Sequence, residues 1–540
     1  MKLIIDVGTI ASGCNGMWQG IEVHGNSVLE QPLLSEVLNN TYPSASNHHG
    51  VVILKNNATL ENARNAIALV KYNGDGSYAL NHTGGIVYAE NSTFKNNRRA
   101  VEFIRYVSDT SISRFLNCDF ITTEDGLNDP TTLFNSFVSL WDVQGVKFIE
   151  NTFENEYNTN ATNRGYGILG IDAGIEVVTD STCAAYTQNG CGTYIANTFK
   201  NLSYGIHLRE TSPHIPFITK INHNKFENCY RGMLISQQFP MILRNNFEVF
   251  SKHSGGYGLD LWGSVNFKVE ENVFDQAVTG IGIYGEGNLF PDRLYKNTFT
   301  NDDTYGWGIA LGDFNRLLQL KCNSFNSQED NILALGSAAL AEQQGNCGNP
   351  GDPSTERVKA PANNLFATTC NTDDLHIWVN SNTPDFTYSY NPSISRNEPV
   401  CINNQGKVTE RPCSGLQSTG ACGSAIVSPN NGGSSSSNLF TERKKQAQRI
   451  DSLQSHLDNN NHNNLLAYIS NSSYNANKVF DTLNNLSWLS ETIVLKALQR
   501  SSALSKVQKS LLIMKNSPSA REEKILINSQ ALQGTIDSLY

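Results

Sequence analysis

The chain has 540 residues, of which only 17% are charged, and its net charge is −10. The charge is uneven, since residues 1–438 carry −14 and residues 439–540 carry +4. An acidic body of this kind excludes nucleic acid as the main partner, because phosphate binding needs clustered Lys and Arg. No apolar run approaches the ~20 residues of a membrane span.

Residues 1–8 are predicted to form a strand, and they lack the features of a cleavable signal peptide. Further along, a short phrase of Asn, any residue, Phe and a polar residue recurs. Later copies lie 21 to 27 residues apart, and the longer step from Asn151 to Asn197 is expected to hold an insertion. Each unit has room for several short strands and none for a long helix. Clear copies begin at Asn151, Asn197, Asn224, Asn245, Asn272, Asn297 and Asn323, and looser ones contain Phe94 and Phe120.

Each copy is followed by Gly, an apolar residue, any residue and a second apolar residue, as in Gly205 to Leu208. This alternation with period two predicts a β-strand. Stacked coils of such strands bury an apolar face that a single coil cannot bury alone. We expect the Phe residues to stack in the interior and the Asn residues to form ladders at left-handed turns. Gly before the strand is expected to permit a bend.

These phrases resemble the right-handed parallel β-helix repeats of the pectate-lyase-like superfamily. The predicted fold is therefore mainly β, with a right-handed parallel β-helix (a solenoid) over residues 1–345, then a linker and a small all-α C-terminal region. Residues 11–23 resemble the opening coils of long secreted surface proteins from bacteria with a type IX secretion system. The resemblance implies an extracellular or cell-surface protein, of which we expect this chain to be a fragment.

Three segments follow the predicted solenoid. Residues 346–427 are predicted to be an irregular Cys-containing cap or a continuation of the coils. Residues 428–438 have the Ser, Gly and Asn composition of a linker. Residues 439–540 show helical periodicity, with capping boxes expected at residues 505–508 and 519–522. The apolar stripes of these helices are formed by Ile450, Leu453 and Leu457 and by Val479, Phe480, Leu483 and Leu486.

Eleven cysteines favour an oxidising compartment. Cys183 and Cys191 lie in a Gly- and Thr-rich stretch and are a candidate disulfide, and one further pair is expected among Cys401, Cys413 and Cys422. Because there is no CxxC and no His at ligand spacing from these cysteines, we predict no metal site and no cofactor. Calcium would be expected only if the resemblance extended to the polysaccharide lyases.

Stacking the coils ~4.8 Å apart places the second and fourth residues after each Gly on the outer surface. The second positions read Glu102, Leu169, His207, Leu234, Asp260, Gly282 and Ala310, and the fourth read Arg209, Ser236, Trp262, Tyr284 and Gly312. Aromatic faces stack on sugar rings and Arg binds carboxylates, although exposed aromatic rings would equally fit packing beneath a loop. The candidate ligand-binding face therefore comprises His207, Arg209, Glu210, Asp260, Trp262 and Tyr284.

The sequence favours a non-catalytic adhesin or polysaccharide-binding protein whose partner is a polysaccharide or a cell-surface glycan. One alternative is a polysaccharide lyase or glycoside hydrolase, and a second is a passive structural stalk. Hydrolysis needs two carboxylates within ~10 Å, and the outward columns contain no such cluster. We therefore assign no catalytic residue and make no prediction of the oligomeric state.

Overall fold

The computed structural model describes most of residues 1–413, residue 422 and parts of residues 461–512. The chain divides into two compact units, residues 1–427 and 428–540, which are considered separately below. The predicted linker 428–438, the stripe of Ile450, Leu453 and Leu457, and the second predicted capping box all lie outside the described residues. Apart from shorter gaps, the residues that the structure does not describe are 42–47, 180–185, 212–217, 250–255, 286–292, 301–305, 348–359, 369–373, 414–421, 423–460 and 513–540.

The first unit is the parallel β-helix that the sequence predicts. In a typical coil the chain runs through Lys225–Glu227 on face 3, Arg231–Ser236 on face 1 and Phe239–Leu243 on face 2, then returns to face 3. Each of these strands pairs in parallel with its equivalent in the next coil. The coils are predicted to be right-handed, because a crossover between parallel strands of one sheet is right-handed in nearly all proteins.

The three faces are long and regular. Two strands, Ser136–Ile149 and Tyr166–Val178, run across both face 1 and face 2. The other strands of face 1 are Ile21–Glu22, Asn65–Leu69, Arg99–Tyr106, Tyr204–Arg209, Arg231–Ser236, Tyr257–Trp262, Thr279–Tyr284, Trp307–Gly312, Asp330–Ala334 and Leu375–Val379. Face 2 also contains Lys2–Asp6, Val51–Lys55, Ile86–Glu90, Arg114–Leu116, Ile218–Asn222, Phe239–Leu243, Lys268–Glu270, Arg293–Tyr295 and Gln319–Lys321. Face 3 contains Thr9–Ala11, Thr59–Glu61, Thr93–Lys95, Asp119–Thr122, Thr152–Asn155, Thr198–Lys200, Lys225–Glu227, Asn246–Glu248, Val273–Asp275, Thr298–Thr300 and Ser324–Phe325.

Smaller elements decorate the coils. Lys71–Tyr72 and Tyr78–Ala79 form an antiparallel hairpin, as do Tyr186–Thr187 and Gly190–Cys191. Because Thr152–Asn155 pairs directly with Thr198–Lys200, the intervening residues belong to one coil, and the predicted insertion is confirmed. A three-stranded parallel sheet is formed by Gln343–Gln344, Phe386–Tyr390 and Val408–Pro412. The helices of this unit are Leu34–Asn39 and the 3₁₀ turns Leu80–His82, Ala161–Asn163 and Gln405–Lys407.

The recurring Phe residues form a continuous interior stack, as predicted. From Phe94 to Phe325 the ring centres of successive coils lie 4.6–5.1 Å apart with nearly parallel planes. These rings are almost completely buried. Stacked rings at this spacing contribute both apolar burial and ring–ring attraction to the stability of the solenoid.

The recurring Asn residues form a second ladder, whose geometry differs in one respect from the prediction. Each side-chain amide donates to the Asn Oδ1 of the next coil at 2.9–3.0 Å, from Asn151 through to Asn364. At this ladder the left-handed residue is the one that precedes the ladder Asn, as at His223 and Arg244. The second Asn of the phrase is itself left-handed, as predicted, since Asn201 and Asn228 have positive φ and the Asn228 amide donates to Asn201 Oδ1 at 2.6 Å. The ladder Asn itself is buried, so its amide satisfies backbone groups that water cannot reach.

The recurring Gly also has a role beyond the bend that the sequence predicts. A Cβ at Gly258 would lie 2.5 Å from the Phe274 ring and 2.7 Å from the Gly280 carbonyl oxygen, and Gly205, Gly232 and Gly280 have the same surroundings. Since no φ in the left-handed range is found at these positions, the requirement is for space. Gly is needed because the Phe ring of the following coil lies against its backbone.

Both ladders continue beyond residue 345. Asn364 accepts from Asn323, Phe366 stacks on Phe325 at 6.1 Å, and Leu375–Val379 extends face 1. The expected disulfide among Cys401, Cys413 and Cys422 was wrong. Cys413 is joined to Cys347 and Cys422 to Cys322, so both bridges tie later residues back to the coils. Cys401 is also disulfide-bonded. Cys183 lies outside the described residues, so its pairing with Cys191 stays a prediction.

The second unit contains the helices His462–Ser470, Ala476–Asn484 and Glu491–Leu498. Val479 and Leu483 are buried in a small apolar core, against which Phe480 and Leu486 pack. The predicted capping box at residues 505–508 is confirmed, because the Ser505 N–H donates to Gln508 Oε1 and the Gln508 N–H to Ser505 Oγ. Within the described residues, no helix is long and apolar enough to cross a membrane.

Candidate functional site

Face 1 carries the candidate site on its outer surface. The strand register confirms that the second and fourth positions after each Gly form columns along the solenoid. We call them the second and third columns, because a first column, described below, precedes them along each strand. The structure adds one coil that the sequence comparison omitted, with Ser139 between Glu102 and Leu169. His207 and Asp260 lie two coils apart with Leu234 between them, as predicted.

A further column was missed. The residue immediately before each Gly lies in register along the solenoid, and its ring or guanidinium contacts the second column. Strict alternation fails here because the backbone breaks its pleat at the Gly, which packs inward. The sequence does contain a usable signal, since an aromatic residue precedes Gly in four coils. This first column reads Tyr166, Tyr204, Arg231, Tyr257, Thr279 and Trp307.

Asp260 and Arg231 form the centre of the surface. Arg231 Nη1 donates to Asp260 Oδ2 at 2.8 Å, and Trp262 Nε1 donates to Asp260 Oδ1 at 2.8 Å. The Asp260 carboxylate is only 1% exposed, because these two side chains cover it. Burial raises the pKa of Asp260 to about 6, although the Arg231 charge and the Trp262 hydrogen bond oppose that shift.

Aromatic rings hold Arg231 on both sides. Its guanidinium carbon lies 5.0 Å from the centre of the Tyr257 ring and 5.7 Å from that of Tyr204. The Tyr257 and Tyr284 hydroxyls are 3.2 Å apart, and the Tyr284 ring lies 4.9 Å from Trp262. Trp262 remains 48% exposed. These contacts fix an open aromatic surface, because every ring is positioned by a neighbouring coil.

His207 and Arg209 extend the surface towards the first coils. His207 lies 5.1 Å from the Tyr204 ring and 5.6 Å from the Tyr166 ring. Burial, with the charges of Arg209 and Arg231, lowers the pKa of His207 to about 4, so the imidazole is neutral near pH 7. Arg209 is exposed. Glu210 is different, since it is only 8% exposed and does not belong to the open surface.

A second acidic centre lies on face 1 near its beginning. Glu102 is buried and is bound by Arg99, by Asn65 and by the hydroxyls of Tyr72 and Tyr78. The two tyrosines belong to the hairpin of Lys71–Tyr72 and Tyr78–Ala79, which therefore lies against face 1. Burial is the main cause of the raised pKa of both tyrosines, so both hydroxyls remain donors to the carboxylate.

A cavity of about 690 Å³ opens beside Tyr166, between the loops that precede two face 1 strands. Its described lining has acidic and apolar side chains but no Lys or Arg. Because these loops lie between the repeats, no periodic signal in the sequence pointed to them. The residues that line it include Asp125, Leu127, Asp129, Phe134, Tyr157 and Tyr166.

Known proteins of two kinds are similar to this chain. Residues 154–337, about a third of the chain, match the model of the family described as periplasmic copper-binding protein (NosD). Two crystal structures of DFA-IIIase from Arthrobacter chlorophenolicus A6 in complex with GF2, one of them without its lid, are also similar. They are 10% identical, cover 77% of this chain and 89% of their own, and have TM-scores of 0.29 and 0.26. No curated protein matches the chain.

The side chains of this chain differ from those that the copper site implied by that family name would need. Copper takes imidazole and thiolate ligands. In register, both neighbours of His207 are leucines, Leu169 and Leu234, so no second ligand faces it in its column. Cys229 is buried, and burial raises the pKa of its thiol to about 12. Among the described residues, no group of three His, Cys, Asp or Glu side chains is placed to hold a metal. These residues do not fit a copper site.

Proposed function

We propose that this protein binds a polymeric glycan on the outer surface of face 1. The observation that carries the proposal is the aromatic surface around Arg231, in which the rings of Tyr204, Tyr257, Tyr284 and Trp262 lie within four successive coils. Sugar rings present C–H faces that stack on aromatic rings, while their hydroxyls bond to polar groups at the ring edges.

The small residues beside this surface support the same proposal. Gly282, Ala310 and Gly312 continue the second and third columns beyond Asp260 and Tyr284. A Cβ at Gly282 would lie 2.9 Å from the Tyr257 ring and 3.0 Å from the Tyr284 ring, and one at Gly312 would lie 2.5 Å from the Tyr284 ring, so the missing side chains let these two rings lie close over the backbone of face 1. A polymer fits this arrangement better than a small ligand, because the rings are distributed along the solenoid axis instead of enclosing one point.

An enzyme is the second candidate, favoured by one observation. Asp260 is a carboxyl with a pKa of about 6 beneath the surface, as a general acid would require. Hydrolysis needs a second carboxylate within ~10 Å. The nearest carboxylates in the described outward columns are Asp330, three coils away or ~14 Å, and Glu102, five coils away. We therefore prefer binding without turnover.

We also propose that the protein functions outside the cytoplasm, in the periplasm or at the cell surface. The two bridges Cys322–Cys422 and Cys347–Cys413 support this proposal, because disulfides persist in oxidising compartments. Adhesion, and secretion by a type IX system, stay predictions of the sequence resemblance. If the protein bound no glycan, that result would favour a passive structural stalk.

One experiment separates these readings. The full chain is incubated with neutral, amino-sugar and uronic-acid polysaccharides, and retention, reducing ends and unsaturated products are followed together. We expect retention without turnover, and about tenfold weaker retention for Tyr257→Ala, since stacking of one ring is worth ~1 kcal/mol or more. Val273→Ala, an exposed apolar residue on face 3, is the control. Turnover that is lost in Asp260→Asn would overturn the preference for binding, and retention of no polysaccharide would overturn the proposal.

A further inference from the structure

The third column contains a second exposed tryptophan that the sequence reading did not include. Trp141 is 37% exposed and pairs in register with Ile171, which pairs with Arg209. From Arg209 the column continues through Ser236 to Trp262. Trp141 and Trp262 therefore stand in one column four coils apart, or about 19 Å at the normal strand spacing. Arg209 lies midway between them.

The hairpin fixes the environment of Trp141. The Tyr78 ring lies 6.4 Å from the Trp141 ring, and Tyr78 is itself held by its hydroxyl bond to buried Glu102 at 3.0 Å. Tyr72, on the other strand of the hairpin, also donates to Glu102. A buried carboxylate with this many donors costs folding free energy unless all of them stay in place, so Tyr78 is held in its position beside Trp141.

The two tryptophans have matching surroundings. Each lies in the third column and has a tyrosine ring beside it, Tyr78 for Trp141 and Tyr284 for Trp262. Near each there is also a buried carboxylate bound by an arginine, Glu102 with Arg99 and Asp260 with Arg231. Between them, Ile171 and Ser236 are smaller than a ring. The surface thus has two aromatic platforms joined by a lower stretch in which the exposed cation is Arg209.

We propose that Trp141 with Tyr78 is a second sugar-binding platform, and that one glycan chain lies along the solenoid axis and occupies both platforms at once. This inference rests on the proposed glycan binding. It adds a length requirement, since a chain too short to span about 19 Å occupies only one platform. Once one platform is occupied, binding of the same chain at the second is intramolecular, so the overall affinity exceeds that of either platform alone.

The test uses two series of purified oligosaccharides, β-1,4-linked glucose and α-1,4-linked galacturonate, from disaccharide to dodecasaccharide. Dissociation constants are measured by calorimetry for the full chain and for Trp141→Ala, Trp262→Ala and the double variant. We expect native affinity in the preferred series to rise steeply once the chain spans both platforms. Each single variant should lose that rise, about tenfold or more for the longest chain, and the double variant should bind the longest chain more weakly than either single one, because neither platform then has its tryptophan.

Trp141→Phe keeps a ring and should restore most of the length dependence, whereas Val273→Ala should change nothing. Melting curves of the variants show whether the coils remain folded. Native-like affinity of Trp141→Ala for the longest chain would overturn the inference and leave the proposed function intact. Failure of the native chain to bind at any length, in these series and in the polysaccharide panel, would overturn both.

Discussion

The inside and the outside of the same coils follow opposite rules. Inside, the Phe stack and the Asn ladder repeat one residue type at one spacing for coil after coil. Outside, the second and third columns of face 1 change residue at every step, as from Leu234 to Asp260 to Gly282. Repetition is what close packing of equivalent coils demands. Variation on a surface with no packing requirement is where binding specificity can be encoded.

The sharpest test of this contrast is a substitution that removes one ring from the Phe stack. Phe226→Ala removes a buried ring that stacks on Phe199 and Phe247, and we expect a loss of about 3–5 kcal/mol in the free energy of unfolding. Phe314→Ala, at an exposed ring, should lose less than about 1 kcal/mol. Denaturant unfolding of both variants measures the difference, and equal losses would mean that the stack is not the main source of stability.

A substitution that adds a methyl group beside the Phe stack tests the role assigned to Gly. Gly258→Ala puts a methyl group 2.5 Å from the Phe274 ring, so we expect a cost of about 1–3 kcal/mol. Gly74→Ala is the matched control, since nothing lies within 4 Å of its Cβ. If the two substitutions proved equally mild in thermal unfolding, the Gly–Phe contact would not constrain the coil.

The repeating interior could be predicted from the sequence to a greater extent than the outer surface. The period of the Phe and Asn phrases predicted the stack, the ladder and the outward columns, because equivalent coils must repeat what they bury. The first column was missed because the backbone breaks its alternation at the Gly. The hairpin tyrosines and Trp141 were missed because their contacts join segments with no shared period. The partners of Cys413 and Cys422 were missed for the same reason.

The outside of the coils should respond to pH through Asp260. Its pKa of about 6 exceeds the ordinary value of 3.8, so the folded state holds this proton more tightly than the unfolded chain does. Its contribution to stability is therefore full below about pH 4 and is lost as pH rises towards about 6. In Asp260→Asn this dependence is absent, and the difference in unfolding free energy from the native chain should change by roughly 1–3 kcal/mol across that window.

Asp75 provides a control of opposite sign. Hydrogen bonds from the Ser77 side chain and backbone lower the pKa of this exposed carboxyl, so its contribution is present at neutral pH and is lost in acid. Unfolding curves for Asp260→Asn and Asp75→Asn, each compared with the native chain from about pH 3 to about pH 7, should diverge in opposite directions. Parallel curves for Asp260→Asn and the native chain would show that Asp260 is not buried as described.

The most direct test of the central claim is a crystal structure of the full chain with an oligosaccharide from the series that it binds. We expect sugar rings on the outer surface of face 1, stacked on Trp262 and Tyr284 and running along the solenoid axis past Arg209. Density for the sugar on face 2, on face 3 or on the helical unit, with the rings of face 1 bare, would contradict it.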